Sequence, residues 1–521
     1  MAVPSISFLI LVFVAAILFN LSSAPRWRQL VLLVTNVYFL STFVHAPAEL
    51  IPYVGFLGLG FALIHMVRRG VPTIAYAASI AVLLFSFFWL KKYTFLPSVI
   101  FIGSPYLLVG MSYVFFRVMH LLIDARYPED AYRLTIVDYA NYTLNFTSVT
   151  SGPIQRYEEY FRMTTSEAWG LGPLDIGVGL ERILIGLCKI MVLAVFVGIV
   201  QQRLAYHLTP DSGMLDRVGT VMGLTALYPI YLYFNFSGYT DFVIGAGRFF
   251  RIKLPENFDR PFTATSFIDY WNRWHMSLSN WLKSYVYTPL VTSLARHVRS
   301  PDLLPYMSAV GLFVTFFLIG AWHGRTANFL FFGLLNGAGV ALNQGYRIIM
   351  MKRLGRKGYA ALGNKDWYSF ICRGLTFTWV AFTLLWFWSD WAELGRFAAM
   401  LGPVAIAAGL GALVIVAAVA LHVLMRIHDR SLAPEWRDRP VLNSRYVRTA
   451  WMSVMLLCVL VVQSDMTVLN AVALAGGYTY RAKKDKVLIV RASDPAKKEA
   501  VAAPGDHVGP GDIIRVPERF F

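Results

Sequence analysis

The chain has 521 residues, a formal net charge of +17 and 57% hydrophobic residues. Only 15% of its residues are charged, whereas soluble domains carry about 25%. So few charges cannot cover the surface of a soluble protein of this length, which excludes a soluble enzyme, a disordered chain and a secreted disulfide scaffold. The composition predicts an all-α polytopic membrane protein surrounded by lipid. Lys and Arg in cytoplasmic loops explain the basic excess, so we expect no nucleic-acid partner.

The first apolar segment is predicted to be an uncleaved spanning helix. Residues 5–21 are apolar, and Arg26 and Arg28 follow them rather than precede them. A signal peptide carries its positive charge before the apolar core. We therefore expect this helix to enter the membrane from the outside.

Further apolar stretches long enough to span a bilayer recur along the chain. With the first, they lie near residues 5–22, 29–47, 50–67, 73–90, 104–123, 174–200, 219–236, 303–322, 326–346, 370–389, 396–425 and 446–462. The stretch 396–425 is long enough to tilt or break. Shorter apolar pieces near 137–152 and 240–250 are predicted to be re-entrant, which requires burial in protein or a wet cavity. The count is about ten to thirteen spanning or re-entrant helices.

The distribution of basic residues predicts the orientation. The groups expected in the cytoplasm are Arg26, Arg28, Arg68, Arg69, Arg426, Arg430, Arg437, Arg439, Arg445 and Arg448. This scheme places the N-terminus and the tail from Gln463 outside. The same scheme would place Lys91 and Lys92 outside, where basic residues are not expected. We therefore expect these two lysines to face an internal funnel.

The charged segment 251–300 interrupts the apolar pattern. Within it, apolar side chains recur at helical spacing, at Phe267, Trp271, Trp274, Leu278 and Trp281. A Trp-rich apolar face predicts an amphipathic helix that lies in the membrane interface. His275 is at the edge of this face.

The composition changes again after residue 463. Residues 487–490 and 513–516 are predicted strands, and glycine–proline pairs mark turns between them. We predict two units: a membrane domain over 1–463 and a small mixed α/β soluble tail over 464–521.

His323 stands out among the candidate functional residues. Residues 307–322 carry no charge, and a second apolar run begins at Thr326. An ionisable residue in such a place is expensive and suggests function, although a satisfied histidine at a helix end is the alternative. A neutral imidazole can act as a general base on an alcohol. The three cysteines lie in apolar runs without ligand spacing, so we expect no metal site.

Several motifs together resemble the membrane-bound O-acyltransferase (MBOAT) family. They stand in the order GPIQR (152–156), YFNFSGYTD (233–241), PENF (255–258), RPF (260–262), WNRWHMSLSNW (271–281) and GAWHG (320–324). The hydropathy pattern also resembles that of the family, from the N-terminus to about residue 463. Within the family, the chain looks most like the membrane subunit of alginate O-acetylation. One departure is Ser148, where relatives often have proline.

The resemblance implies an MBOAT fold and an enzyme. His323 maps to the histidine that the family takes as catalytic, and His275 to a second motif histidine. Further motif positions implied to contact substrate or line a tunnel are Trp322, Asn272, Arg273, Trp274, Asp241, Asn235, Gln155 and Arg156. No bound cofactor or metal is implied; acetyl-CoA is the implied acyl donor.

The same resemblance implies a bacterial inner-membrane location, an exported polysaccharide acceptor and a periplasmic serine-type acetyltransferase partner. Segments 466–481 and 508–521 resemble part of the β-grasp repeat of polysaccharide export proteins, which agrees with a periplasmic tail. Two alternatives stay open. One is D-alanyl or other acyl transfer to a cell-envelope polymer, and the other is a transporter or channel without acyl chemistry.

Overall fold

We analysed a computed structural model of the chain. It describes residues 3–127, 134–165, 171–209, 211–431 and 450–457, and in the tail 467–468, 471–472, 487–491, 494, 498–503, 505–509 and 512–516. The basic residues Arg437, Arg439, Arg445 and Arg448, the thiol of Cys458 and most of the predicted export-protein segments lie outside these ranges. So does most of the predicted span 446–462, of which residues 450–457 are helical.

Helices dominate the described membrane domain. Those of the N-terminal half are α1 (Ile6–Asn20), α2 (Pro25–Ser41), α3 (Ile51–Arg68), α4 (Thr73–Leu90), α5 (Met111–Asp124), α6 (Ile136–Thr143), α7 (Tyr157–Thr165), α8 (Pro173–Cys188) and α9 (Val195–His207). Those that follow are α10 (Met214–Phe249), α11 (Phe267–Trp271), α12 (Met276–Leu282), α13 (Thr288–His297), α14 (Leu304–His323), α15 (Ala327–Gly363), α16 (Asp366–Trp388) and α17 (Trp391–Ser431).

Six helical segments within the described residues are long and apolar enough to cross a membrane. They are Pro47–Arg68, Thr73–Leu90, Pro173–His207, Leu304–His323, Asp366–Trp388 and Trp391–Ile427. The prediction of a polytopic helical membrane protein is therefore confirmed. The long stretch near 396–425 was predicted to tilt or to break. It is broken, because Gly402 adopts a positive φ of 73° inside α17.

The two predicted re-entrant pieces have different outcomes. Helix α6 has only 8 residues, and the chain then continues in turns to Ser151 with residues 141–149 buried throughout. This matches a buried piece that does not span. The prediction for 240–250 is wrong, because these residues continue the 36-residue helix α10.

Contacts with α8 explain why α10 continues through a polar motif. A Cβ built on Gly238 would lie 2.8 Å from the Gly186 carbonyl oxygen, so the two helices approach at glycines. The Asp241 carboxylate pairs with Lys189 at 2.6 Å, in the π-helical turn that joins α8 to α9. The polar side chain is satisfied inside the protein, so the helix needs no break there.

The predicted interfacial helix over 267–281 is also wrong. The chain forms two short helices, α11 and α12, separated by residues 272–275. Asp259 N donates to the Arg273 carbonyl at 2.9 Å, and Met276 N donates to the Asn257 carbonyl at 3.0 Å. This pairing with residues 257–259 draws the backbone out of the helix.

The tryptophans of the predicted face are buried inside the protein rather than placed at an interface. Trp271 and Trp274 are each 6% exposed and Trp281 is 7% exposed. They belong to the largest hydrophobic cluster of the described residues. The apolar periodicity therefore reflects core packing in this segment.

The described tail contains a three-stranded antiparallel sheet. Its strands are β1 (Val487–Val490), β2 (Glu499–Ala502) and β3 (Ile513–Arg515), in the order β2–β1–β3. The predictions of β1 and β3 are confirmed, while β2 was missed because EAVA lacks a strand-like alternation. Val468, Val487, Ile489 and Ala502 form its small core.

Hydrogen bonds between loops group the helix ends into two faces. On one face, Arg126 donates to the Val71 carbonyl at 2.9 Å. On the other, Tyr93 donates from its hydroxyl to the Ala321 carbonyl at 2.8 Å, and Thr94 donates to the Arg325 carbonyl at 3.0 Å. His323 therefore lies at the same face as the turn that follows α4.

Candidate active site

A cavity of about 300 Å³ lies where the motif-bearing helices meet. Its walls come from α5, α10, α11, α14, α15 and α16, from the turn at Ser151 and from the residues before α12. The lining residues are Tyr113, Ser151, Leu232, Asn235, Phe236, Tyr239, Tyr270, Trp271, Trp274, His275, Trp322, His323, Phe332, Asn336, Val380, Thr383, Leu384 and Phe387. Both predicted catalytic histidines are among them.

Helix α14 positions His323 at its last residue. Close packing of α14 on α15 fixes this end, since a Cβ built on Gly333 would lie 3.0 Å from Gly320 Cα. Aromatic rings surround the imidazole, with ring-centroid distances of 4.6 Å to Trp322 and 5.1 Å to Phe387. His323 is half-buried and makes no ion pair with any described residue.

His275 immediately precedes α12 and is 3% exposed. Its φ of 45° lies in the left-handed region, which a non-glycine residue rarely adopts. Such conformations persist where the surroundings enforce them, and they cluster at functional sites. Here Asn257 enforces it, because its carbonyl accepts from Met276 N and its Oδ1 accepts from Ser277 N at 3.0 Å.

The Trp322 indole lies close to both imidazoles. Its ring centroid is 6.3 Å from that of His275 and 4.6 Å from that of His323. His275 also contacts Phe236 edge-on at 4.9 Å. Nε2 of His275 has no hydrogen-bond partner among the described residues, so this nitrogen is not occupied by a structural contact.

The cavity wall is apolar and aromatic, with a few uncharged polar groups. The Tyr239 hydroxyl bonds to the Thr150 hydroxyl next to Ser151, and Asn336 donates to the Phe332 carbonyl at 2.8 Å. No Asp, Glu, Lys or Arg occurs among the lining residues that the structure describes. Apart from tyrosines, the two imidazoles are therefore the only ionisable side chains in this described lining.

The structure brings together five of the ten predicted site residues. Trp274, Trp322 and Asn235 line the cavity with His275 and His323. The other five lie outside the lining, where their contacts are with protein groups. Their predicted roles toward substrate stay predictions.

Three of these five lie on α10 or directly after α11, and two of the three form ion pairs. Asn272 is exposed, and Arg273 pairs with Asp269 at 3.0 Å. Asp241 pairs with Lys189 and with Arg182, the latter at 2.7 Å. These contacts connect α8, α10 and α11 to their neighbours rather than facing the cavity.

The remaining two, Gln155 and Arg156, lie in the loop before α7. Gln155 donates from Nε2 to the Lys253 carbonyl at 3.1 Å. Arg156 donates to the Ser284 hydroxyl at 2.7 Å. This loop therefore contacts the segment before α11, at Lys253, and the segment after α12, at Ser284.

Some lining residues were not predicted. Tyr239 belongs to the YFNFSGYTD motif and Ser151 precedes the GPIQR motif, so both stood next to a usable signal. Tyr113, Asn336 and Thr383 lie on apolar helices and have no such signal in the sequence. The described residues include no group of three His, Cys, Asp or Glu able to hold a metal.

A pair of histidines that line an aromatic cavity between membrane-length helices defines a membrane-embedded enzyme. The chain belongs to the membrane-bound O-acyltransferase family, whose model matches residues 73–382. It is an acyltransferase with several apolar helices in the membrane.

Relatives with related activities match parts of the chain. A teichoic acid D-alanyltransferase of Bacillus subtilis is 28% identical over 284 residues, 53% of this chain and 67% of that protein. A peptidoglycan O-acetyltransferase of Helicobacter pylori is 33% identical over 213 residues, 40% of this chain and 38% of that protein. A probable alginate O-acetylase of Azotobacter vinelandii is 26% identical over 318 residues, 60% of each chain. The last two matches span less than two thirds of those relatives.

Proposed function

We propose that the protein transfers acetyl groups from a cytosolic thioester, acetyl-CoA, for the O-acetylation of an exported polysaccharide. The observation that carries this proposal is the cavity itself, in which His275 and His323 share an aromatic, uncharged lining. Family membership supplies the acyl transfer, and the relatives named for alginate, peptidoglycan and teichoic acid support a cell-envelope polymer as the acceptor.

The chemistry requires a base and an acyl acceptor in one place. His323 accepts the proton of the acceptor hydroxyl while the hydroxyl oxygen attacks the carbonyl carbon of the thioester. A C–O bond forms, the C–S bond breaks, and the proton passes on to the departing thiolate. General-base catalysis of this kind contributes about 10²–10⁴-fold to rate. His275, which lines the same cavity, orients the thioester.

The lining favours acetyl over D-alanyl transfer. A D-alanyl group carries an ammonium at neutral pH, and a buried cation is costly without a charged or strongly hydrogen-bonding partner. No carboxylate lines the cavity in the described part of the chain. An acetyl group has no charge and fits this lining, so D-alanyl transfer is the second candidate. The third candidate is a transporter without acyl chemistry. No feature of the described site favours it.

The proposal includes a bacterial inner-membrane location with the N-terminus and tail in the periplasm. A periplasmic acetyltransferase partner then completes the transfer to sugar. The charge distribution of the loops supports this orientation. The position of His323 at the face of the turn after α4 supports access to the acceptor from the periplasmic side.

The test is a His323→Ala variant expressed in a strain that lacks the wild-type gene. We expect inserted, folded protein and a loss of polymer acetylation of at least about 10²-fold, because the general base is removed. Mass spectrometry of the surface polysaccharide measures the acetyl content. His207→Ala is the matched control, since His207 is exposed at the end of α9. Wild-type acetylation in His323→Ala contradicts the assignment.

A further inference from the structure

Two buried arginines lie beside the end of α1. Arg28, on α2, is 5% exposed, and Arg251, shortly after α10, is 9% exposed. The Arg28 guanidinium lies over the Phe19 ring at 5.4 Å and donates from Nε to the Ser22 carbonyl at 3.1 Å. Arg251 donates from Nη2 to Asn20 Oδ1 at 3.3 Å. Arg28 and Arg251 are here called the arginine pair.

No carboxylate neutralises the arginine pair within the described part of the chain. Neither residue belongs to any of the ion pairs between described residues. By contrast, the neighbouring Arg248 reaches the Asp175 carboxylate at 3.8 Å. Burial, and then the Arg28 guanidinium, lower the pKa of Arg251. A buried cation without a counter-ion is costly, so this place in the fold favours the binding of an anion.

Capping of α1 explains only part of this arrangement. The carbonyls at a helix C-terminus carry partial negative charge and attract cations. However, each guanidinium of the arginine pair uses only one nitrogen for a hydrogen bond to a described residue. Nε of Arg251 is buried without a partner among those residues. The donors that stay unused suit phosphate oxygens, which a guanidinium binds through two nitrogens at once.

Exposed apolar side chains line the two helices next to the arginine pair. They recur at helical spacing along α1 and α2, at Ile10, Val14, Ile17, Leu21, Trp27, Leu30, Val34 and Val37. The indole of Trp27, the residue before Arg28, donates to the Leu18 carbonyl at 2.7 Å. Tryptophan is enriched where a membrane meets water. The arginine pair therefore lies where an apolar surface fit for lipid chains meets the layer of lipid headgroups.

We propose that the arginine pair binds the phosphate of an anionic phospholipid headgroup, whose acyl chains lie along the exposed apolar faces of α1 and α2. Basic pockets between membrane helices on the cytoplasmic side recognise such headgroups. The bound lipid joins the ends of α1 and α2 to the segment after α10 and stabilises the folded protein. Neither α1 nor α2 contributes to the described lining of the active-site cavity, so this inference does not rest on the proposed function. A soluble phosphate compound has no chains to cover the apolar faces.

Lipid binding is measured on the full chain by native mass spectrometry. Delipidated protein in detergent is mixed with equal amounts of phosphatidylglycerol and phosphatidylcholine that carry the same acyl chains, so only the headgroup differs. We expect phosphatidylglycerol to bind about tenfold more tightly, because its net negative charge faces two unpaired guanidinium groups. It should also raise the melting temperature more than phosphatidylcholine does, since a ligand of the folded state stabilises that state.

Variants test whether the arginine pair is the site. Arg28→Gln and Arg251→Asn should each weaken phosphatidylglycerol binding about tenfold, the size expected for a lost charge-assisted hydrogen bond. Asn is used at 251 because it tolerates the φ of 61° there. Arg353→Gln is the matched control, since Arg353 is exposed on α15, and it should bind like wild type. Melting of each variant without lipid separates a folding defect from lost binding.

Three outcomes overturn the inference. In the first, phosphatidylcholine binds the wild-type protein as tightly as phosphatidylglycerol. In the second, folded Arg28→Gln and Arg251→Asn both bind phosphatidylglycerol like wild type. In the third, inorganic pyrophosphate displaces phosphatidylglycerol from the wild-type protein, which assigns the arginine pair to a soluble phosphate compound. The proposed acyl transfer is tested apart from this, by polymer acetylation in His323→Ala, so failure of one leaves the other standing.

Discussion

His275 has a backbone conformation that restricts which side chains can replace it. A positive φ is tolerated by Gly, Asn, Asp and His far better than by β-branched residues. The imidazole is also buried against Phe236, with Nε2 unoccupied by any described group. Backbone strain, burial and a free ring nitrogen at one residue together indicate a role in the site rather than in packing alone.

At this residue we expect His275→Asn to keep the fold and lose turnover. Asn accepts the left-handed conformation but supplies no imidazole, so the rate should fall by about 10²-fold or more. Trp281→Ala is the contrasting variant, because it removes a buried ring that lies 4.6 Å from Phe116. It should cost about 3–5 kcal/mol of stability and lower the yield of folded protein.

Thermal unfolding of both purified variants, compared with acetyl transfer per folded molecule, separates the two effects. A His275→Asn protein that melts early yet transfers at the normal rate per folded molecule would make His275 part of the scaffold. Normal stability of Trp281→Ala would contradict the burial argument for the ring.

At the scale of elements, the buried side chain of Arg117 stabilises the turn that follows α6. Arg117, 2% exposed, donates to the carbonyls of Tyr142 and Thr143 at 3.1 and 3.0 Å, and to the Ser148 hydroxyl at 2.7 Å. The two carbonyls are the unpaired acceptors at the end of α6. Ser151, three residues later, lines the cavity, so this arginine connects helix α5 to the site wall.

We expect Arg117→Met to destabilise the protein by about 3 kcal/mol or more, because three buried acceptors lose a charged donor. Ser148→Ala removes one of the three bonds and should cost about 1–2 kcal/mol. Melting temperatures in detergent rank the variants. Equal stability of Ser148→Ala and Arg117→Met would show that the two carbonyl contacts contribute nothing.

Local sequence patterns predicted elements well where contacts are local. The boundaries of α4 and β1 agree with the predicted segments because their apolar runs end at charges or turns. The segment 267–281 failed because its helical period is interrupted by pairing with Asn257 and Asp259, about 15 residues upstream. Helix α10 was divided wrongly because the partners of Asp241 lie on α8 and in the turn directly after it, 59 and 52 residues away in sequence. Motif matching found both histidines, whereas Asn336 and Thr383 reach the cavity only through helix packing.

At the scale of the whole molecule, the helix ends agree with one orientation. Arg126 meets Val71 near Arg68, and Arg426 lies 3.4 Å from Asp366, so the basic ends of several helices share a face. The positive-inside bias assigns this face to the cytoplasm. The opposite face holds His323, Arg325 and the turn after α4.

A reporter fused after Phe521 should therefore be active in the periplasm. Paired alkaline phosphatase and fluorescent-protein fusions at this position read the two sides independently. As a control, fusions after Arg69 should give the reverse pattern. Fluorescence without phosphatase activity at Phe521 would overturn both the orientation and the periplasmic tail.

The uncharged aromatic lining also bears on the electrical insulation of the membrane. A protein that passes an acyl group between two aqueous compartments must not let ions follow. A metal ion or an ammonium entering this cavity would give up its hydration shell and meet indole and phenyl rings, with no charged side chain in the described lining to compensate. The barrier to such an ion is many times the thermal energy, whereas an uncharged acetyl group pays no such penalty. Under the proposed acetyl transfer, the same wall that accepts an uncharged acetyl group opposes the passage of ions.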